Sequence, residues 1–379
     1  MKLIVEALEA NTGDCLLLHY GGPGKETRIL IDGGNAGVYQ SVLKSRLEEL
    51  RGEGRLDLRM VMVSHIDADH ITGIEQLLGD LVDFQESCKE LPYRIRSLWH
   101  NSFDKLLGDK AASVESSAVR ASLDGGPIPS LDTDVAAVVA SVKQGNAVRN
   151  HAVKLGIPIN ADAGGPLVQA PAKGVRKIQV VPGLTFTLLS PHQNELDKLD
   201  SVWDEAKARK KTATAQAADF LNKTVPNLSS IVVLMEAEVA RGKKKRLLFT
   251  GDAGGDVIRE ALAGAKLLQE GRIHVDLLKV QHHGSSHSSN LEFFQTVLAD
   301  HYVISGNGRY GIPDPKTLEW LSEARRGQVC DVYLTNRTGG SGFTANIDMF
   351  LAAEETSGSK IRYHFRGGDA PSICVPLAK

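Results

Sequence analysis

The chain has 379 residues, 42% of them hydrophobic, which is enough to bury a full core. Charged residues make up 24% and the formal net charge is −2, which excludes a global field for nucleic acid or membrane but not a local basic patch. The cysteines Cys15, Cys88, Cys330 and Cys374 form no C-x-x-C pair, which argues against a disulfide framework or a zinc ribbon and for ordinary thiols in a reducing compartment. The N-terminal MKLIVEALEA carries acidic residues within its apolar stretch and reads as a first β-strand, not a secretory signal. Residues 15–20 and 28–32 are short apolar runs around a Gly/Pro turn and predict a β-hairpin. A helical pattern covers about 38–51, and a buried strand is expected at 58–64, followed by an amphipathic helix at about 70–82. Another strand is expected at 94–100.

The stretch 103–175 is rich in Ala, Ser and Gly, with helices expected at about 105–123 and 132–154. It reads as an insertion on the edge of one domain spanning 1–379. Strand pairing resumes at 177–190. A second insertion, 194–225, has a helical pattern containing Lys207, Arg209, Lys210 and Lys211. Strands at 230–238 and 246–250 flank a basic turn, Arg241–Arg246. A helix (254–269), a strand (273–280), a helix (290–298) and a strand (301–305) follow. Two strand-rich halves, each followed by helices, predict an α/β chain of the αββα sandwich type. No run approaches the roughly 18–20 apolar residues of a bilayer span, so no membrane partner is expected and the expected location is the cytoplasm.

The strongest chemical signal is Ser64-His65-Ile66-Asp67-Ala68-Asp69-His70. Four potential ligands lie between an apolar strand and a helix. Strand alternation sets His65 and Asp67 on one side, and the turn into the helix brings Asp69 and His70 toward the same pocket. Four unpaired polar groups at a buried strand end would cost several kcal/mol, whereas a metal satisfies them together. Two further strands end in polar groups, Leu247–Asp252 in Gly-Asp and Asp276–Ser285 in His282-His283-Gly284-Ser285.

In this order and spacing the chain resembles the metallo-β-lactamase superfamily over about residues 3–310, insertions excepted. The matching positions are Asp32 in ILIDGG, His65-x-Asp67-x-Asp69-His70, Asp252 in FTGD and His283 in HHGS. Asp at the second ligand position, together with Asn227-Leu228-Ser229-Ser230, is similar to the hydrolase domain of bacterial DNA-uptake competence proteins. The resemblance implies that His65 and Asp67 bind a first divalent metal and that Asp69, His70 and His283 bind a second, with Asp252 bridging. It implies that Asp32 orients the cluster and that Asp69 also contacts the attacking water. His282 is expected to support its neighbour rather than to bind metal. The family's middle histidine has two candidates, His192 and His100, or no counterpart. Ile312 stands where relatives often carry a histidine before proline, which leaves protonation of the leaving group without its usual donor.

Imidazoles and carboxylates without thiolate suit Zn or Mn, with Fe a lesser fit. Two such cations activate water and clamp an anionic substrate. The leading expectation is therefore hydrolysis of a phosphodiester, with nucleic acid a candidate. The alternatives are hydrolysis of a carboxylic ester, lactone or thioester, a di-iron redox role, and a metal-stabilised scaffold for a partner. The basic segments 207–211 and 241–246 are candidates for phosphate contact but read more readily as a solvated helix face and a hairpin turn.

Overall fold

The computed structural model describes residues 1–102, 133–198, 227–340 and 342–379. The helix expected at 105–123 and most of the segment 194–225, including Lys207, Arg209, Lys210 and Lys211, lie outside the described residues.

The chain opens with the antiparallel strands β1 (Lys2–Leu8), β2 (Leu16–Gly22) and β3 (Lys25–Ile31). The helical pattern at 38–51 becomes a short wide turn of helix at Tyr39–Leu43 that runs into α1 (Lys44–Arg51). The strand expected at 58–64 is two strands, β4 (Leu56–Leu58) and β5 (Met60–Met62), broken at Arg59. There the Arg59 side chain turns away to donate to the Val180 carbonyl and pair with Asp162. Helix α2 (Ala68–Glu86) follows. The strand expected at 94–100 also divides, into β6 (Tyr93–Ile95) and β7 (Leu98–Trp99). After α3 (Thr133–Lys154) comes the hairpin β8 (Arg176–Val181) and β9 (Leu184–Ser190). The second half contains β10 (Val232–Ala240), β11 (Lys243–Phe249), α4 (Gly255–Gly264), β12 (Ile273–Lys279), α5 (Leu291–Thr296) and β13 (Val297–Ile304). It closes with α6 (Pro315–Ala324), β14 (Cys330–Leu334), α7 (Phe343–Ser357), β15 (Ile361–Phe365) and β16 (Ser372–Ala378).

These strands form two large sheets, ordered β16-β1-β2-β3-β5-β7 and β15-β14-β13-β12-β11-β10-β9-β8, with β4 and β6 as a small separate pair. Three apolar clusters define the layers. One lies between the sheets, where Leu16, Leu18 and Ile29 meet Phe186, Met235 and Leu247. The second covers the outer face of the eight-stranded sheet, with Leu248 and Leu278 against Ile258, Phe294 and Leu318. The third covers the outer face of the six-stranded sheet, with Leu17, Leu30 and Val61 against Leu47, Ile74 and Leu78. Neighbours such as Leu16 and Leu17 are therefore buried on opposite faces. That explains why these strands are continuous apolar runs rather than alternating ones. The layer order is helix, sheet, sheet, helix, and the chain has the metallo-β-lactamase-type αββα fold.

The described part of the 103–175 stretch is not peripheral. Val148, Ala152 and Ile157 join the core under α2, and Ala163 and Val168 reach the inter-sheet core. Weak helical periodicity in α3 hides this role, because the apolar positions are set by the neighbouring helix. No helix among the described residues is long and apolar enough to cross a membrane. All four cysteines are free thiols.

Candidate metal centre

The site lies where strands of both sheets end. From the six-stranded sheet, β3 delivers Asp32 just past its last residue. The segment after β5 delivers Ser64 and His65, and the first turn of α2 delivers Asp69 and His70. From the eight-stranded sheet, β11 leads to Asp252 and β12 to His282 and His283. The Ile231 N–H donates to the Ser64 carbonyl at 2.8 Å, joining the two layers beside the ligands.

Asp32 is buried and adopts φ +59, a left-handed turn residue before two glycines. Its Oδ1 accepts the Ser64 N–H and its Oδ2 the Ser64 hydroxyl, both at 2.7 Å. Oδ2 also lies 2.9 Å from His70 Nδ1, which puts the imidazole proton on that nitrogen and turns Nε2 into the pocket. Helix α2 is held against this turn at backbone contact distance. A Cβ built on Gly33 would lie 2.5 Å from the Ile74 nitrogen, and one on Gly73 would lie 1.9 Å from the Gly33 carbonyl oxygen.

Asp252 stands at the middle of the cluster. Its Oδ1 is 3.3 Å from His70 Nε2. Its Oδ2 is 3.8 Å from His65 Nε2, 3.7 Å from His282 Nε2 and 3.6 Å from His283 Nε2. Asp67 Oδ2 lies 3.4 Å from His65 Nε2, and Asp69 Oδ2 lies 3.4 Å from His283 Nε2. His70 Nε2 and His283 Nε2 are 3.2 Å apart. His282 and His283 both have positive φ, at 47° and 54°. Two consecutive non-glycine residues in that region store backbone strain, and the result aims both rings at Asp252.

The electrostatics are those of an anionic pocket. Burial alone would lower the pKa of His70, but the carboxylates of Asp252, Asp69 and Asp32 outweigh it and hold the imidazole well above its ordinary value. Burial likewise opposes charge on His283, yet Asp252 and Asp14 push its pKa up to about 9. Burial would raise Asp252, but the charges of His70, His283 and His282 hold its carboxyl well below the usual range. At His282 the balance falls the other way: burial, with the charge of His283, outweighs Asp252 and holds its pKa below the ordinary value.

A metal fits these residues. His65 Nε2 and Asp252 Oδ1 are buried atoms with no hydrogen-bond partner. Each faces the cluster, and an unsatisfied buried polar atom is costly without a ligand. The donors are neutral-capable imidazoles and carboxylates, a set suited to Zn or Mn. Asp14 also lies near His70, Asp252 and His283, with one donor atom of each within 4.8 Å of the others. Its oxygens, however, are engaged by Lys279 and Ser305, so it stands behind His283 rather than among the ligands.

The two candidates for a middle histidine go elsewhere. His100 is buried, and its Nε2 lies 3.0 Å from the Gly145 carbonyl of α3, with its backbone clasped by the Asn160 side chain. His192 is half-exposed, its backbone N–H donates to Glu195 Oε2 at 2.6 Å, and its ring Nδ1 lies 3.6 Å from the same oxygen. The structure brings His282 into the cluster instead. The resemblance implies a supporting role for His282, whereas positive φ at both His282 and His283 turns both rings toward Asp252. Asp14 and Lys279 escaped sequence reading, although Gly13-Asp14 before a strand echoes Gly251-Asp252.

A cavity of about 390 Å³ opens onto the cluster, lined by Asp69, His282, His283, Asn307, Arg309, Tyr310 and Ile312 among others. Asp69 faces it with 29% of its side chain exposed. Arg309 is its one lysine or arginine among the described lining residues, and its guanidinium sits 5.6 Å from the Tyr310 ring centre. The basic turn Arg241–Arg246 lies at the opposite end of β11 from Asp252, roughly 20 Å away at strand rise, and Lys245 and the Arg246 N–H are held by Asp276. It does not border the site.

Residues 10–132 match the model of the Metallo-beta-lactamase superfamily. That segment holds Asp32 and the His65–His70 cluster. A search of curated proteins found no match. A superfamily domain over this segment and a buried His/Asp cluster together indicate a metal-dependent hydrolase.

Proposed function

We propose that the protein hydrolyses a phosphodiester with two divalent cations, Zn or Mn, held by His65, Asp67, Asp69, His70, Asp252, His282 and His283. The observation that carries this reading is Asp252, whose two oxygens face imidazoles on different sides. Seven donors converge there, more than the roughly four to six that one such cation takes. His282, rather than His192 or His100, supplies the additional nitrogen.

When bound, the cations supply an acidified water and positive charge against the developing charge on the substrate. The chain's own residues do the rest. Asp32 keeps the His70 proton on Nδ1. Asp69, at the cavity mouth, accepts a hydrogen bond from the attacking water and so aims its lone pair. Arg309 pairs with a non-bridging phosphoryl oxygen. The attacking water gives one proton to solvent, its oxygen bonds to phosphorus as the opposite P–O ester bond breaks, and the leaving alkoxide takes a proton from solvent. Ile312 offers no proton at the cavity wall, so the leaving group depends on solvent for its proton. Nucleic acid is one candidate among phosphodiesters.

The test is turnover of bis-p-nitrophenyl phosphate and of single- and double-stranded DNA with Mn or Zn, beside a panel of carboxylic esters, lactones and thioesters. Metal-dependent phosphodiester cleavage that is lost in Asp69→Ala supports the reading. Cleavage confined to the carbonyl panel overturns the substrate class, and no cleavage on either panel overturns hydrolysis.

A further inference from the structure

Asp14, in the turn between β1 and β2, and Lys279, the last residue of β12, form a fully buried ion pair across the two sheets. Lys279 Nζ lies 2.6 Å from Asp14 Oδ2, and each residue is 1% exposed. Lys279 also donates to the Val280 carbonyl at 2.9 Å. The second Asp14 oxygen, Oδ1, accepts the Ser305 hydroxyl at 2.5 Å. That same oxygen faces His283 Nδ1 at 3.4 Å.

A buried ion pair is a weak source of stability, because desolvating both charges offsets most of their attraction. Apolar residues of similar size would serve the core as well. What the pair does provide is a carboxylate that cannot move. It is held by an ammonium on one oxygen and a hydroxyl on the other, and it stands behind the ring nitrogen of His283 that points away from the metal cluster.

We infer that Asp14 is a positioning residue for His283, with Lys279 as the counterion that fixes its carboxylate in place. Asp14 holds the imidazole proton on Nδ1, so the lone pair of Nε2 is directed at Asp252 and Asp69. Asp32 plays the corresponding part for His70, but its oxygens accept only the Ser64 N–H and hydroxyl besides the ring. The two histidines are therefore backed unequally. His70 feels an undamped carboxylate and is the more electron-rich donor, whereas the carboxylate behind His283 is neutralised by Lys279.

This inference rests on the metal-binding part of the proposed function and not on its substrate. Zn-loaded protein labelled with ¹⁵N-histidine is expected to show His283 as the Nδ1–H tautomer. In Asp14→Asn, titration with Zn alone is expected to show one binding event weakened about 10- to 100-fold, the usual effect of removing a group behind a metal-bound histidine. The double variant Asp14→Asn/Lys279→Met removes both charges and so leaves no bare buried ion. It is expected to fold and to show the same loss. If Asp14→Asn does not fold, the double variant and the wild-type tautomer decide. An Nε2–H tautomer at His283, or unchanged Zn affinity in a folded variant, overturns the inference. Failure of the wild-type protein to bind Zn would instead overturn the metal centre itself.

Discussion

His70 and His283 present their Nε2 atoms to each other at 3.2 Å, one from the first turn of α2 and the other from the end of β12. Two imidazole lone pairs at that separation need a shared proton or a shared cation between them. With both rings backed by carboxylates on their far nitrogens, a cation is the better occupant.

Chelation is therefore expected to lower thermal stability as well as to abolish hydrolysis, and added Mn or Zn is expected to restore both. A metal present at a hundredfold over its Kd contributes about 2.7 kcal/mol to the folded state. Differential scanning calorimetry with and without chelator measures this. An identical melting curve in both conditions would remove the basis for a structural metal.

His282→Ala is expected to lose one bound cation and most turnover. His192→Ala is expected to keep both, and so is His100→Gln if it folds. Metal content by mass spectrometry separates the cases. Loss of metal in His192→Ala with His282→Ala unaffected would return the middle-ligand role to His192.

Arg309→Ala is expected to raise KM for an anionic phosphodiester about tenfold, in line with one charge-assisted hydrogen bond. The effect should shrink at high salt. A neutral aryl ester, if cleaved at all, should be unaffected. Equal effects on both substrates would show that Arg309 shapes the loop rather than binds charge.

Away from the site, Glu6 ties four elements together. Its buried carboxylate accepts hydrogen bonds from His19 at 2.9 Å, Arg46 at 2.8 Å and Ser372 at 2.6 Å. Burial alone would raise its pKa, but these bonds bring it from 4.5 to about 2. A carboxyl depressed in the folded state stabilises above its unfolded pKa, and that contribution is lost as pH falls through the folded value. The window is thus pH 4.5 down to 2, and the contribution is on the order of 3 kcal/mol. Urea melts of wild type and Glu6→Gln should converge across that window. Parallel curves would place the acid sensitivity in other groups.

The ligand cluster was legible because it is dense. His65, Asp67, Asp69 and His70 fall within six positions, and no apolar core tolerates that composition without a purpose. Short apolar runs around a Gly/Pro turn likewise announced the hairpin of β2 and β3, and a further apolar run the strand β12. Other parts depend on partners far away in the chain. Strand β16 pairs with β1, and Ser372 meets Glu6, across most of the chain length. Nothing local in SICVPLA tells which edge it will join. Lys279 reads as an ordinary charged residue at a strand end, and only the second sheet supplies Asp14 to bury it. His282 depended on backbone angles that strand periodicity does not contain.

The contact between Gly33 and Gly73 sets a limit on variation. Gly33 meets a ligand residue only through main chain, its N–H donating to the His70 carbonyl at 2.7 Å, and the backbone of each glycine occupies the space a side chain on the other would need. The spacing of Asp32 and His70 is thus gauged by main chain against main chain, with no side chain able to shrink or rotate to absorb an error. Larger residues at either position would enter as a wedge and separate the carboxylate from the ring. A library of variants selected for metal retention should be as intolerant at Gly33 and Gly73 as at the histidines, although neither glycine contributes a donor atom.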